Sequence, residues 1–511
     1  MFAKLRGYFS AASSAVSVQA SGDNFENQSL YAKAKRNFSP GIRDAKTDTL
    51  KDLKLSRAQS RNLARNSPIA VGAINTNVIR VVGTGLALSA SPNIKVLGWT
   101  EEQGREFKEL VQVYWSMFAD SKECDVTGTQ NFYEVQALVY RSVLESGDCF
   151  TLLPTMPQKS TFPFDLRLQV VEADRIGSPT PYTYNDVFES GIKTDRYGKP
   201  VACYIYDEHP GAATHTAMNF NGSWVDFESN SGRKKIIHHF QRLRPEAPRG
   251  TPYLTPIIGL IKEISRYSEA EVTAAVVSAL FTVFIEGPAG GDTAPIFAGQ
   301  EQAGESGEIK LGAGAVVGLA PGEKVSTFNP NRPNVNMDAF ISGMMKQVGM
   351  ALNVPAEILM KKFEASYSAS KAAFLDAYLV FRCTRVWLAK SFCEPVYETW
   401  LAEMVANGHI DAPGFFTDPM KRWAYSRSAW HGDSMGSINP KDEIQAYVMA
   451  INAKLLTNER AEWELFGTDW HETLGQKVTE SKLQKENDLV PAPVAGAAVA
   501  PKKDNNNAKN N

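Results

Sequence analysis

The chain has 511 residues, and its 54 Lys and Arg against 56 Asp and Glu leave a net charge of −2. Hydrophobic residues make up 43% and charged residues 22%. These values fit a soluble globular chain of about three structural units that folds without disulfide or metal staples. The near-zero charge argues against a monomer that grips nucleic acid by bulk charge, though not against a protein that nucleic acid slides past.

Five cysteines (Cys124, Cys149, Cys203, Cys383, Cys393) are scattered without C-x-x-C spacing. They read as reduced, buried thiols rather than a disulfide or zinc framework. No apolar run approaches the ~18–20 residues that cross a bilayer. Ser10, Ser13 and Ser14 break the stretch after Lys4 and Arg6, so it reads as a mobile arm rather than a secretory signal.

Residues 1–50 are polar and read as an extended arm. A basic amphipathic helix follows (Leu53, Leu55, Arg57, Arg61, Leu63, Arg65), then a second apolar run, Ile69 to Val82, closed by Gly83-Thr84-Gly85. Helical spacing recurs over 101–119, with Phe107, Leu110, Val111, Tyr114, Trp115 and Phe118 on one face, and over 131–146. From Cys149 to about 245 the pattern changes to short alternating strands such as Leu166–Val171 and Val201–Tyr206, which indicates an α+β domain. Thr251-Pro252 and Thr255-Pro256 suggest helix starts. The run from Ile257 to Leu280 predicts a helix over about 253–281, roughly 43 Å long. Ten of the 37 glycines fall between 286 and 322, predicting a small β excursion with strand candidates at Ile309–Leu311, Val316–Leu319 and Val325–Phe328. A second long helix carries Met337, Phe340, Ile341, Met344, Val348 and Leu352, and Val354-Pro355 breaks it. After a short loop, a third runs from about 369 to 405, apolar around much of its circumference and kinked or split at Pro395. Asn439-Pro440, Thr457 and the pair Asp469 and Glu472 then mark helix starts, and the tail from 489 reads as disordered.

Few motifs point to chemistry. Gly312 to Gly318 has the look of a dinucleotide fingerprint, but a turn follows it where a helix N-terminus is required. Ser368-Ala369-Ser370-Lys371 matches the S-x-x-K pattern of serine acyl-transfer enzymes. The companion Ser-Asp-Asn and Lys-Thr-Gly motifs are missing, so Ser368 reads better as a helix N-cap. His238-His239 has no neighbouring ligands at zinc spacing. Lys361-Lys362, beside Glu364, stands between two long helices.

Ten stretches in order give the chain a family resemblance. They are Leu53–Arg65, with Arg57, Arg61, Leu63 and then Asn66; Val81–Leu86; Leu168–Arg175; Gly191 to Pro200; Arg249–Leu254; Leu319–Glu323; Leu352–Pro355; Ser366–Ser368; Asn439–Glu443; and Gly467–Asp469. Over about 30–485 the chain resembles the lambda-like family of tailed-phage portal proteins. Asn439-Pro440 stands where Asp-Pro is common in that family.

The resemblance implies an α+β portal fold: arm 1–50, wing 51–250, stem helix 251–282, clip 283–335, stem helix 336–358, tunnel loop 359–368, long helix and wing return 369–437, helical crown 438–488 and tail 489–511. It implies a homododecameric ring at one capsid vertex, through which double-stranded DNA is packaged and later ejected. Its partners would be the terminase large subunit, the head–tail connector, and the major capsid and scaffold proteins, with no membrane, cofactor, metal or catalytic residue. It puts Lys361, Lys362, Phe363, Glu364, Ser366 and Tyr367 on the tunnel loop, and Lys262, Glu263 and Arg266 on the stem facing the channel. The ring would assemble in the host cytoplasm. The alternative is a serine acyl-transfer enzyme at S-x-x-K.

Overall fold

The computed structural model describes residues 42–156, 162–179, 190–212, 221–280, 284–286, 324–326, 336–363, 366–434, 436, 439–467 and 470–486. The chain divides into two units, Met1–Gly432 and Asp433–Asn511.

In the first unit, local capping sets most helix boundaries. Asp44 accepts from Thr47 N to start α1 (Ala45–Asn66), and Ser67 starts α2 (Pro68–Val81) with proline in its first turn. Residues 45–50, expected in the arm, are therefore helical; residues 1–41 lie outside the described residues. Strand β1 (Ala87–Ala90) and a single turn, α3 (Ile94–Leu97), follow. Reciprocal capping boxes, Thr100 with Gln103 and Asn131 with Glu134, begin α4 (Glu101–Ala119) and α5 (Phe132–Ser146). The buried face of α4 is narrower than expected: Leu110 is exposed, together with Val113 and Met117.

Strand β2 (Asp148–Leu152) is the centre of an antiparallel sheet between β3 (Gln169–Glu172) and the later β7. A second sheet has the order β4 (Ile192–Thr194), β5 (Pro200–Tyr206), β6 (Gly222–Asp226). Strand β7 (Ile236–Phe240) pairs Cys149 with His239 and Phe150 with His238. A small core (Phe150, Val171, Ile176, Ile192, Cys203, Ile205, Ile236) draws on both sheets.

A 3-10 turn, Thr255–Ile257, leads into α6 (Ile258–Leu280). Neither Thr251 nor Thr255 caps it; Leu254 occupies the cap position of that turn, and the Thr255 hydroxyl is buried with no partner among the described residues. Strands β8 (Phe284–Glu286) and β9 (Lys324–Ser326) pair antiparallel. The rest of the glycine-rich stretch, with its other two strand candidates, lies outside the described residues. Helix α7 (Met337–Leu352) ends at Asn353, left-handed at φ 53°. Helix α8 (Ala356–Met360) ends at Lys361, also at φ 53°.

The third long helix is split as the proline predicts: α9 (Tyr367–Leu388), a π turn over Ala389–Cys393, then α10 (Glu394–Ala406) with Pro395 in its first turn. It is not buried all round. Leu375, Leu379 and Val386 are exposed, whereas Phe392, Val396, Trp400 and Met404 are fully enclosed. After α11 (Pro419–Tyr425), β10 (Ser428–His431) returns to pair with β1. The main core centres on Trp115, whose ring meets those of Phe118, Phe132, Tyr397, Trp400 and Trp430. All five cysteines are free and four are buried; Cys383, on α9, is exposed against expectation.

The second unit is helical: α12 (Pro440–Asn452), α13 (Asn458–Phe466), capped by Thr457 and closed by left-handed Gly467, and α14 (Trp470–Glu486). The Asn439 side chain bonds to Asp442 at 2.6 Å instead of capping the backbone. Asp469, the side chain of its expected capping partner Glu472, and the tail lie outside what is described. Among the described residues of this unit only Ala461 is buried.

Candidate functional site

Along α6 the environment changes within three turns. Ile257, Ile258, Ile261 and Ile264 are buried, but Val272 is 61% exposed and Val276 also faces outward. Lys262 is exposed, and Arg266 meets Glu263 at 3.8 Å, one turn back. Such an exposed pair adds about 0.3–0.5 kcal/mol at most. Helices α6 and α7 touch through Tyr267 and Phe340, whose ring centroids are 4.6 Å apart. Phe340 and Met350 nevertheless leave much of their surface exposed.

The loop after α8 is tied at both ends. Lys361 is exposed in its left-handed position, and Lys362 reaches Asp338 on α7 at 3.6 Å. Phe363 stacks on Phe374 of α9, 5.2 Å between centroids and 23° between planes. Glu364 and the side chain of Tyr367 lie outside the described residues. Ser366, not Ser368, caps α9, accepting from Ala369 N at 3.5 Å, while Ser368 sits in the first turn, 3.3 Å from the Ser366 hydroxyl. A cap at 366 follows from the chain already being helical at Tyr367.

The most elaborate polar arrangement is one that sequence reasoning missed. Asp148, at the start of β2, is fully buried. Its carboxylate accepts from Arg57 NH2 on α1 (2.5 Å), from Arg249 Nε (2.5 Å) and from His238 Nε2 (3.0 Å). Arg57 also donates to the Ser146 carbonyl (2.8 Å) and Asp174 (3.3 Å), and Arg61 pairs with Asp174. Arg249 donates to the carbonyls of Ala173 (2.7 Å), Ser190 (2.9 Å) and Ile176 (3.2 Å). Three guanidiniums thus face two carboxylates, and backbone carbonyls help balance the remaining positive charge. Burial on its own would push the Asp148 carboxyl up, but Arg249 and then Arg57 outweigh it and hold the group well below the usual carboxylate range. Burial draws Arg57 down to about 10, still charged at neutral pH. The His238 ring lies between Phe150 and Phe240, each 4.2 Å away; burial keeps it neutral to lower pH than usual despite Asp148. Arg57, Arg61, Asp174 and Arg249 all belong to stretches that carry the family resemblance. That was the available signal.

The model of the family described as phage portal protein, lambda family, matches residues 32–385, and the chain belongs to that family. It is similar to portal protein B of Escherichia phage lambda, 24% identical over 486 residues, covering 91% of this chain and 90% of the relative. It is also similar to the portal protein of Escherichia phage N15, 23% identical with the same coverage. Among solved structures, a chain from the neck of a native gene transfer agent particle computed with C12 symmetry is 14% identical, with a TM-score of 0.44 over 80% of this chain and 94% of that one. The α+β architecture is that of a portal protein, and the role of the chain is structural, in a phage particle.

Proposed function

We propose that twelve copies close into a ring at a single capsid vertex, around a channel through which double-stranded DNA is packaged and later ejected. What carries this reading is the apolar surface a single copy leaves uncovered. The second unit has one buried residue among those described, while Ile444, Val448, Met449 and Phe466 are exposed on its helices and Leu455 in the turn between two of them. Val272, Val276, Leu375 and Leu379 add unpartnered faces on α6 and α9. Burying each such side chain is worth about 1.5–3 kcal/mol, and head-to-tail contacts that close supply the partner.

In this reading α6 and α7 form the stem, with Lys262, Glu263 and Arg266 toward the channel. Residues 359–368 are the tunnel loop, where Lys361 and Lys362 make transient phosphate contacts as point charges without the bidentate grip of arginine. Residues 51–250 form the wing against capsid and scaffold proteins, and 438–488 form the crown. The clip, 283–335, docks first the terminase large subunit and then the connector, once the ring has assembled in the host cytoplasm. The near-neutral charge suits a conduit: each phosphate neutralised steepens the salt dependence of binding by about 0.9 in log–log slope, so a strongly basic bore would hold DNA rather than pass it.

Native mass spectrometry and negative-stain imaging at micromolar protein test the reading. The expected result is closed rings of about twelve times the 56.1 kDa chain mass. A monodisperse monomer, or labelling of Ser368 by a β-lactam, would overturn it.

A further inference from the structure

Between β7 and α6 the chain passes a junction, residues 249–253, of which Arg249, Gly250 and Tyr253 are held from several directions. Arg249 enters the buried cluster, where it shares the Asp148 carboxylate with Arg57 of α1. Gly250 lies so close to Gly147 that a Cβ there would fall 2.1 Å from the Gly147 carbonyl oxygen. Tyr253 N donates to the Leu144 carbonyl at 2.9 Å. The Tyr253 hydroxyl donates to the Leu352 carbonyl at the end of α7 (2.6 Å) and accepts from Asn77 of α2 (3.1 Å). Helices α2, α5 and α7 and strand β2 therefore meet on residues 249–253, and α1 reaches them through Asp148.

We propose that this junction is the positioning site of the stem. Asp148, holding Arg57 and Arg249 on one carboxylate, fixes the direction in which α6 leaves the body, and Tyr253 fixes the end of α7 to the start of α6. The proposal rests on the reading that α6 and α7 are the stem. Its physical basis is that a buried ionic cluster is a poor source of net stability but a stringent one of geometry. An apolar contact tolerates sliding, whereas two guanidiniums on one carboxylate must arrive together or leave a charge buried and unpaired. Arg57 sits 91 residues before Asp148 and Arg249 sits 101 after it, so the cluster ties helix α1 to the stem's point of departure. On this account α1 takes part in setting the stem's direction.

Two variants test this. The triple Arg57→Met, Asp148→Leu, Arg249→Met removes the three charges together at similar volume, so it should fold with wild-type helix content. Amide exchange over 250–258 should rise at least tenfold, and native mass spectrometry should show several ring stoichiometries where the wild type shows one. Tyr253→Phe leaves the ionic cluster intact and should raise exchange at least tenfold at 349–354 while 250–258 stays slow; it carries the test should the triple variant not fold. Either variant folding with wild-type exchange and a single ring stoichiometry would overturn the proposal. Should the wild type itself form no ring, the stem reading falls, and the exchange data still decide whether the cluster fixes the departure of α6.

Discussion

Acid should loosen the body of this chain well before its carboxylates titrate, and His239 sets the scale. The residue is fully buried on β7, with Nε2 2.9 Å from the Thr151 hydroxyl and its ring edge-on to Phe392. Burial, helped by neighbouring His238, pushes the imidazole down to about 3, against 6.5 for an unburied histidine. As pH falls below 6.5 the unfolded chain takes up a proton that the folded chain refuses. Stability is therefore complete above pH 6.5 and falls by about 1.4 kcal/mol per pH unit down to about pH 3. At pH 4.5 the loss from His239 alone is about 2.7 kcal/mol. His238, also lowered by burial, acts in the same sense. Glu403, raised by burial, opposes them slightly, because it gains its proton earlier in the folded state. Asp148 contributes only below about pH 4, where the unfolded carboxyl begins to protonate. Urea midpoints at fixed protein concentration across pH 7 to 4.5 give the slope directly. His239→Gln should flatten it by about one proton, whatever that substitution does to the stability at pH 7. An identical slope in wild type and variant would refute the argument.

Further perturbations address the loop, the clip and the junction. Lys361→Ala/Lys362→Ala rings should assemble normally but lose packaged DNA; normal retention in filled heads would show that these lysines do not touch it. Deleting 288–306 should leave rings intact and abolish packaging, and continued packaging would remove the clip assignment. Gly250→Ala should cost about 1–3 kcal/mol, because the new Cβ meets backbone that no rotamer can clear. An unchanged thermal midpoint would count against the packing described at the junction.

What the sequence made legible was local. Pro395 does end one helix segment and begin the next, Thr457 and Gly467 do bound α13, and the alternating runs before 245 do become strands. Such features depend on neighbours a few residues away. The ionic cluster depends on bonds between residues up to 117 apart, and no periodicity encodes that. Helix α1 shows why it was also misread. Its buried face carries Leu53, Ser56, Arg57, Ser60 and Leu63, so half of it is polar and an amphipathic reading turns Arg57 toward solvent. An arginine beside two serines, at helical spacing between Leu53 and Leu63, was the readable trace. The loop shows the same limit: Lys362 reaches Asp338 on α7, and Phe363 finds Phe374 on α9.

One apolar period can serve two environments, and α6 shows where they part. Its isoleucines at 258, 261 and 264 are packed within the same chain, whereas Val272 and Val276, which continue the helical spacing, are not. Around that change stands only a weak, exposed contact, Arg266 to Glu263 at 3.8 Å. A helix in water draws most of its stability from packing of its apolar face rather than from propensity. The first turns of α6 obtain that packing from the body, but the later turns cannot obtain it from a chain that leaves their valines exposed. On the ring reading a neighbouring copy supplies it, so helical order in the outer half of the strut and closure of the ring are one equilibrium seen from two sides. The junction at 249–253 then matters twice over. It holds the ordered half in place, and through it sets the angle at which the outer half meets the next copy.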